Sequence, residues 1–145
     1  MSAENEVRNA SAQFYAALNT LVKGDSSQMT DIWSHGVAVT TYHPTGGRET
    51  GWDEVRGSWE QVASIASGGS VNLIEQSIQV AGDMAYEVGI EKGQATLAGE
   101  PIAITERVTN IYRREAGAWK LVHHHADVSP AMLALLQRLQ SGAAS

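Results

Sequence analysis

From Ser70 to Ala126 the hydrophobic pattern has a period near two, through SVNLIEQSIQV, MAYEVGIEKGQATL, PIAITERVTNIYRRE and AWKLVHHHA. That period belongs to strands buried on one face, because successive side chains point to opposite sides of a sheet. The breaks between the runs, Ala81-Gly82-Asp83, Ala98-Gly99-Glu100 and Glu115-Ala116-Gly117, are short and contain glycine, as tight hairpins require. Four consecutive long strands joined this way restrict the chain to an antiparallel meander.

Ahead of the sheet the period is helical. Val7, Ala10, Phe14, Leu18 and Leu21 define one apolar face of a helix over Glu4–Lys23, which Gly24 ends. Asp25 with Gln28 is a capping-box variant, and Met29, Ile32 and Trp33 give a short second helix an apolar side. GVAVTTYHPTGG predicts a strand that breaks into a loop at His43. Thr50 and Asp53 predict a cap for a third helix, with Trp52, Val55, Trp59 and Val62 on one face until Gly68-Gly69. Ser129-Pro130 opens a last helix carrying Met132, Leu133, Leu136 and Leu139, and residues 141–145, SGAAS, are expected to form a disordered tail. Helices grouped before a meander imply an α+β domain with one sheet face covered. A long twisted sheet curled around three helices leaves a cavity between them.

A chain of 145 residues is the size of one domain with a core of its own. Its net charge of −6 and lack of a long basic run argue against nucleic acid as partner. It has no cysteine, which excludes disulfides and thiolate chemistry. The polar, acidic MSAENEVRNA is unlike an export signal, and no apolar run has the length of a membrane span. A soluble cytoplasmic protein without membrane contact is expected.

Phe14-Tyr15-Ala16-Ala17-Leu18, Trp33, His43-Pro44, Gly51-Trp52 and the hairpin TNIYRR with WKLVHHH together resemble the NTF2-like superfamily, and within it the SnoaL-like proteins related to the calcium/calmodulin-dependent kinase association domain. The resemblance implies a single SnoaL-like domain over 1–145. It implies a cone-shaped α+β barrel, a mostly antiparallel sheet wrapped around three helices, with a C-terminal helix. It also implies a homodimer packed through the convex sheet face and a pocket inside the cone. Members include polyketide cyclases, ketosteroid isomerases, dehydratases, epoxide hydrolases and oligomerisation domains, so the fold does not assign the chemistry.

Strand parity then predicts which side chains enter the cone. In PIAITERVTNIYRRE the inner set is Ile102, Ile104, Glu106, Val108, Asn110 and Tyr112. In AWKLVHHHA it is Trp119, Leu121, His123 and His125, leaving His124 outside. Met84, Tyr86, Val88 and Ile90 are expected inside with Glu87 and Glu91 outward, and Asn72, Ile74, Gln76 and Ile78 inside on the preceding strand. The expected catalytic set is His125 as acid or base, oriented by Glu106 and Asn110, with Tyr15 stabilising developing oxyanion charge as a helix tyrosine does in related isomerases. Those isomerases carry a carboxylate base beyond the first strand, where this chain reads YHPTGGRET and offers His43 or Glu49. His43, His123, Trp33, Trp52, Trp59 and Tyr86 are expected to contact the substrate. His123 and His125 with His43 or Glu106 have some resemblance to a zinc set, but the spacing is weak and neither a metal nor any cofactor is expected. The expected function is a cofactor-free isomerase, cyclase, dehydratase or hydratase acting on an apolar, polyketide-like or polycyclic small molecule. The alternatives are a non-catalytic ligand-binding protein and an oligomerisation module.

Overall fold

The computed structural model describes residues 2–143. Helix α1 (Ala3–Leu21) is followed by the short α2 (Met29–Ile32), strands β1 (Thr40–His43) and β2 (Gly46–Thr50), and helix α3 (Trp52–Ile65). Four long strands come next, β3 (Ala66–Ala81), β4 (Met84–Leu97), β5 (Glu100–Glu115) and β6 (Ala118–Ala126), and helix α4 (Pro130–Ala143) ends the described chain. The strands make one six-stranded sheet in the order β2-β1-β6-β5-β4-β3. All neighbours are antiparallel except β1 and β6, which run parallel. This is the α+β cone expected, a curved sheet with helices in its hollow.

Local chemistry accounts for the elements. Ser2 caps α1 by accepting from the Asn5 N–H at 3.1 Å, and Ser129 caps α4 by accepting from the Met132 N–H at 3.2 Å. The hairpin loops Ala98-Gly99 and Ala116-Gly117 have positive φ at both residues, the backbone that matches strand twist. Asn19 ties α1 to the sheet, since its side chain accepts from the Val71 N–H and donates to the Val71 carbonyl. Phe14, Trp33 and Trp59 fill the space between helices and sheet and are almost fully buried. Each such side chain contributes about 3 kcal/mol through the water it leaves.

The sheet bends so tightly that a Cβ on Gly93 would collide with the Ser70 carbonyl oxygen, so only glycine fits there. Two bulges matter more, because each inserts one residue and reverses the side-chain parity beyond it. On β3 the pairing skips between Ile74 and Ser77, with Glu75 at φ 53°. On β6, Tyr112 pairs with Leu121 and Ile111 with His123, so Val122 is the extra residue.

Several expectations are corrected accordingly. On β6, Trp119 and Leu121 are buried as expected, but beyond Val122 the inner residues are His124 and Ala126, while His125 is exposed. On β3, Gln76 and Ile78 turn inward, yet Ile74 and Asn72 face out and Val71 faces in. On β4 the expected faces are exchanged: Glu87 and Glu91 are 0% and 3% exposed, whereas Met84, Tyr86 and Val88 are 42%, 48% and 37% exposed. The inner set of β5 stands as expected. Gly46–Thr50, expected as loop, pairs with β1 as an edge strand. Helix α3 ends at Ile65, and Gly68-Gly69 lie within β3. Gly51, not Thr50, sits at its N-cap. Helix α4 takes in 141–143 of the expected tail, and residues 144–145 lie outside the described residues.

Candidate functional site

Helices α1 and α3 and the concave sheet face enclose a cavity of about 630 Å³, a volume suited to a small organic molecule. Leu18, Leu21, Val62, Ile65, Leu97 and Ile104 supply apolar wall. The turn from Pro44 to Gly47 and the α4 residues Met132 and Leu136 complete it on the side where Ser129 N–H donates to the Pro44 carbonyl. Into this apolar space project Glu91 and Glu106, which pair directly across β4 and β5, together with His43 and His124.

The two carboxyl groups are held in opposite ways. Glu91 accepts from the Tyr15 hydroxyl at 2.9 Å, and burial, opposed by that hydrogen bond and reinforced by Glu106 and Glu87, raises its pKa to about 8. Glu106 is 4% exposed, and its Oε2 has no hydrogen-bond partner. Burial first, then the charge of Asp127, pushes it up to about 7. An uncompensated buried carboxylate costs several kcal/mol, so a group in this position takes up a proton at neutral pH far more readily than one in water.

The histidines are kept neutral. His43 is lowered to about 4 and His124 well below the usual imidazole range, both chiefly by burial. The hydrogen bonds assign their protons. The Asn110 amide nitrogen donates to the Tyr15 hydroxyl at 3.1 Å and to Glu87 at 3.0 Å, so its oxygen faces His124 Nδ1 at 2.7 Å and must accept from it. His124 therefore carries its proton on Nδ1 and keeps Nε2 as the basic atom. Ser58 donates to the Val55 carbonyl at 2.6 Å and so accepts from His43 Nε2 at 2.8 Å. Glu49 stands 3.5 Å from the same nitrogen. Trp59 packs against both rings, with centroids 4.5 Å from His43 and 5.6 Å from His124, and its buried Nε1 has no partner.

Behind the cavity wall Glu87 accepts from three donors, Gln76 at 2.6 Å, Asn110 at 3.0 Å and the Tyr112 hydroxyl at 3.1 Å. Glu87, Asn110 and His124 thus form a chain in which each group fixes the next. A fully satisfied buried network of this kind rigidifies the side chain at its end.

Of the expected catalytic residues, Glu106 lines the cavity, while Asn110 and Tyr15 are buried just behind it in contact with His124 and Glu91. His125 is a correction. It lies on the convex face beside Tyr42, with ring centroids 4.8 Å apart, and cannot meet Glu106 or Asn110 inside the cone. His123 is on the same outer face, its Nδ1 2.6 Å from the Thr40 hydroxyl. The bulge at Val122 put both there, and with them goes any metal set joining them to His43 or Glu106. Among the described residues no cluster of three histidine, aspartate or glutamate side chains is arranged to hold a metal ion.

Of the expected contact residues, His43 and Trp59 line the cavity. Trp33 is core, 6.3 Å from Trp59, and Trp52 stacks on His35 at 4.5 Å outside the cavity wall. Tyr86 is on the convex face. Sequence reasoning missed Glu91, Glu87 and His124, all placed outside. A glutamate pair four residues apart, opposite a face that is apolar from Met84 to Ile90 and then carries Lys92, Gln94 and Thr96, was the available signal.

A curved open sheet packed with helices around a cavity of titratable groups is the α+β architecture of NTF2-like proteins. The SnoaL-like domain signature matches residues 7–132, and the chain belongs to that family. A dehydratase candidate of the NTF2-like family from Streptomyces avermitilis superposes with a TM-score of 0.76 at 24% identity, covering 87% of this chain and 95% of the other. The S. rosetta CaMKII hub superposes with a TM-score of 0.70 at 19% identity, covering 89% and 98%. Among curated proteins the F-box protein SKIP8 of Arabidopsis thaliana is 26% identical over 110 residues, which are 75% of this chain. The chain spans 45% of that relative's length.

Proposed function

We propose that this protein is a cofactor-independent acid/base enzyme whose substrate is a small molecule with an apolar body, and that Glu106 moves the proton. The observation that carries this reading is the Glu106 carboxyl itself, buried in the wall of an apolar cavity with one oxygen unpartnered and a pKa near 7. A group that titrates at the working pH is the most efficient proton carrier, since both its forms are populated. Across the ladder Glu91, raised to about 8 and bonded to Tyr15, supplies a protonated partner. His124 Nε2 and His43 add neutral bases whose orientation is fixed by Asn110 and Ser58. Tyr15 acts through Glu91, not as a direct donor to substrate. Isomerisation, cyclisation and dehydration all need a base and an acid so disposed.

The test is turnover of a panel of polycyclic ketones and β-hydroxy ketones in D2O, followed by mass spectrometry for deuterium incorporation and water loss. Wild type exchanges or dehydrates at least one member, and Glu106→Gln loses about 100-fold or more. No turnover across the panel, with no member retained in native mass spectra, would end the reading.

A second observation favours self-association. Ile74, Met84, Tyr86 and Val88 are 43%, 42%, 48% and 37% exposed on the convex face. Contiguous apolar surface of this kind is uncommon on a monomer. A second copy of this chain, packed face to face, would cover it, and sedimentation velocity decides between dimer and monomer.

A further inference from the structure

The cavity is lined by four glutamates, Glu49, Glu54, Glu91 and Glu106, and among the described residues no lysine or arginine lines it. Several of the chain's cations are engaged outside. Arg107 pairs with Asp127 at 2.8 Å, Arg138 with Glu100 at 2.7 Å and Arg56 with Asp53 at 3.6 Å. Buried acids without a counterion are costly to keep, and a well-packed apolar wall would be cheaper. Glu106, 4% exposed with Oε2 unpartnered, is an acceptor built into the wall that the protein does not fill. The same cavity is lined by an aromatic group, Trp59 against His43 and His124, and an indole ring attracts an organic cation to its face. The chain carries a net charge of −6, and a cleft with low-dielectric walls focuses such a field on an approaching ligand.

We infer that the ligand of this cavity is a hydrophobic organic cation, an aromatic or alicyclic body bearing a protonated amine, with its ammonium group directed at Glu106 and Glu91. This deepens the reading of the cavity as a ligand site and rests on it. An anionic ligand would meet carboxyl groups and no cation. A neutral one would gain no ion pair from the Glu106 oxygen that stands without a partner. Binding of an ammonium group favours the ionised carboxyl. Glu106, close to half protonated at pH 7, then releases its proton to solvent as the ligand enters.

The experiment is isothermal calorimetry of the intact protein at pH 7 with three probes that share one ring system: 9-(methylaminomethyl)anthracene, 9-anthracenemethanol and 9-anthracenecarboxylate. Each is run in two buffers of different ionisation enthalpy, so that protons released are counted. The expected result is that the amine binds about tenfold or more tightly than the alcohol, equivalent to about 1.4 kcal/mol. The carboxylate binds weakest, and only the amine releases a proton. Glu106→Gln should bring the affinity for the amine down toward that of the alcohol and reduce the proton release, and a far-UV circular dichroism spectrum matching the wild type's reports that the variant is folded. Proton release by the wild type needs no variant. If the alcohol matches the amine, or the amine binds without proton release, the cation inference is overturned and the cavity remains a site for neutral apolar ligands. If none of the three binds, the reading of the cavity as a ligand site falls with it.

Discussion

The two faces of β4 have the reverse of the usual distribution. Its concave face, enclosed by helices, carries Glu87 and Glu91, while its convex face carries Met84, Tyr86 and Val88 in contact with water. Burial alone would sort them the other way. The difference teaches that each face is shaped by what it meets. The concave side holds a cavity and a buried polar network, and the convex side leaves its apolar residues open to water, the surface that the proposed self-association would cover. Glu87 is tolerated inside because three donors converge on it, whereas Glu106 is tolerated because it can take up a proton.

The largest expected effect comes from breaking the inner network. Asn110→Ala leaves His124, Tyr15 and Glu87 each short of a partner, and urea denaturation should show a loss of about 3 kcal/mol. Its neighbour Thr109 points to the convex side, and Thr109→Ala should cost under about 0.5 kcal/mol. Equal losses at the two positions would show that the faces do not differ as described.

Next comes the convex face. Val88→Lys should weaken self-association about tenfold or more in sedimentation velocity while leaving the urea midpoint of the dilute protein nearly unchanged. A large drop in that midpoint would place Val88 in the monomer core instead.

The pH dependence of stability sharpens the contrast through the titratable groups. Glu91 and Glu106 have folded pKa values raised to about 8 and 7 from 4.5, so the native state holds more protons than the unfolded chain over that range. Their contribution is fully present below pH 4.5 and is lost as pH rises through 7 to 8. His43, lowered from 6.5 to about 4, and His124, lowered well below 6.5, act oppositely, and their contribution is lost as pH falls below 6.5. The two sets oppose each other between 4.5 and 6.5. Above 6.5 only the glutamates titrate, so stability should fall from pH 6.5 to 8, and more shallowly in Glu106→Gln. A stability that rises over that interval would reverse the assignment.

The smallest expected effect is at the β3 bulge. Glu75 holds φ at 53°, where a side chain is strained and glycine is not. Glu75→Gly should therefore raise stability by about 0.5 to 1 kcal/mol in thermal unfolding.

How much of this was legible in the sequence depended on whether a strand keeps its parity. β5 has no bulge between Ile102 and Ile111 and packs in the middle of the sheet, so its alternation gave Glu106 and Asn110 correctly. β6 starts on the right face with Trp119 and Leu121, but nothing in Lys-Leu-Val-His marks Val122 as an inserted residue. The histidine triplet was therefore read one position out of step, and His124 took the place expected of His125. β4 differs for another reason, since its more apolar face, which alternation assigns to the interior, is the exposed one. β2 escaped notice because Gly46-Gly47 reads as loop, and only pairing with β1 at the sheet edge holds it extended. The helices, by contrast, were legible from spacing, and α4 from Ser129-Pro130 as well, because apolar stripes are local, although the caps expected at Thr50 and from Asp25 with Gln28 are not the ones formed.

The central claim is that Glu106 is a proton carrier poised at neutral pH inside the cone. Carbon-13 NMR of glutamate side-chain carboxyls follows that group directly, with Glu106→Gln identifying its resonance. A resonance that titrates near pH 7 and is missing from the variant is the predicted result. A Glu106 carboxyl that titrates near 4.5, as one in water does, would contradict the account.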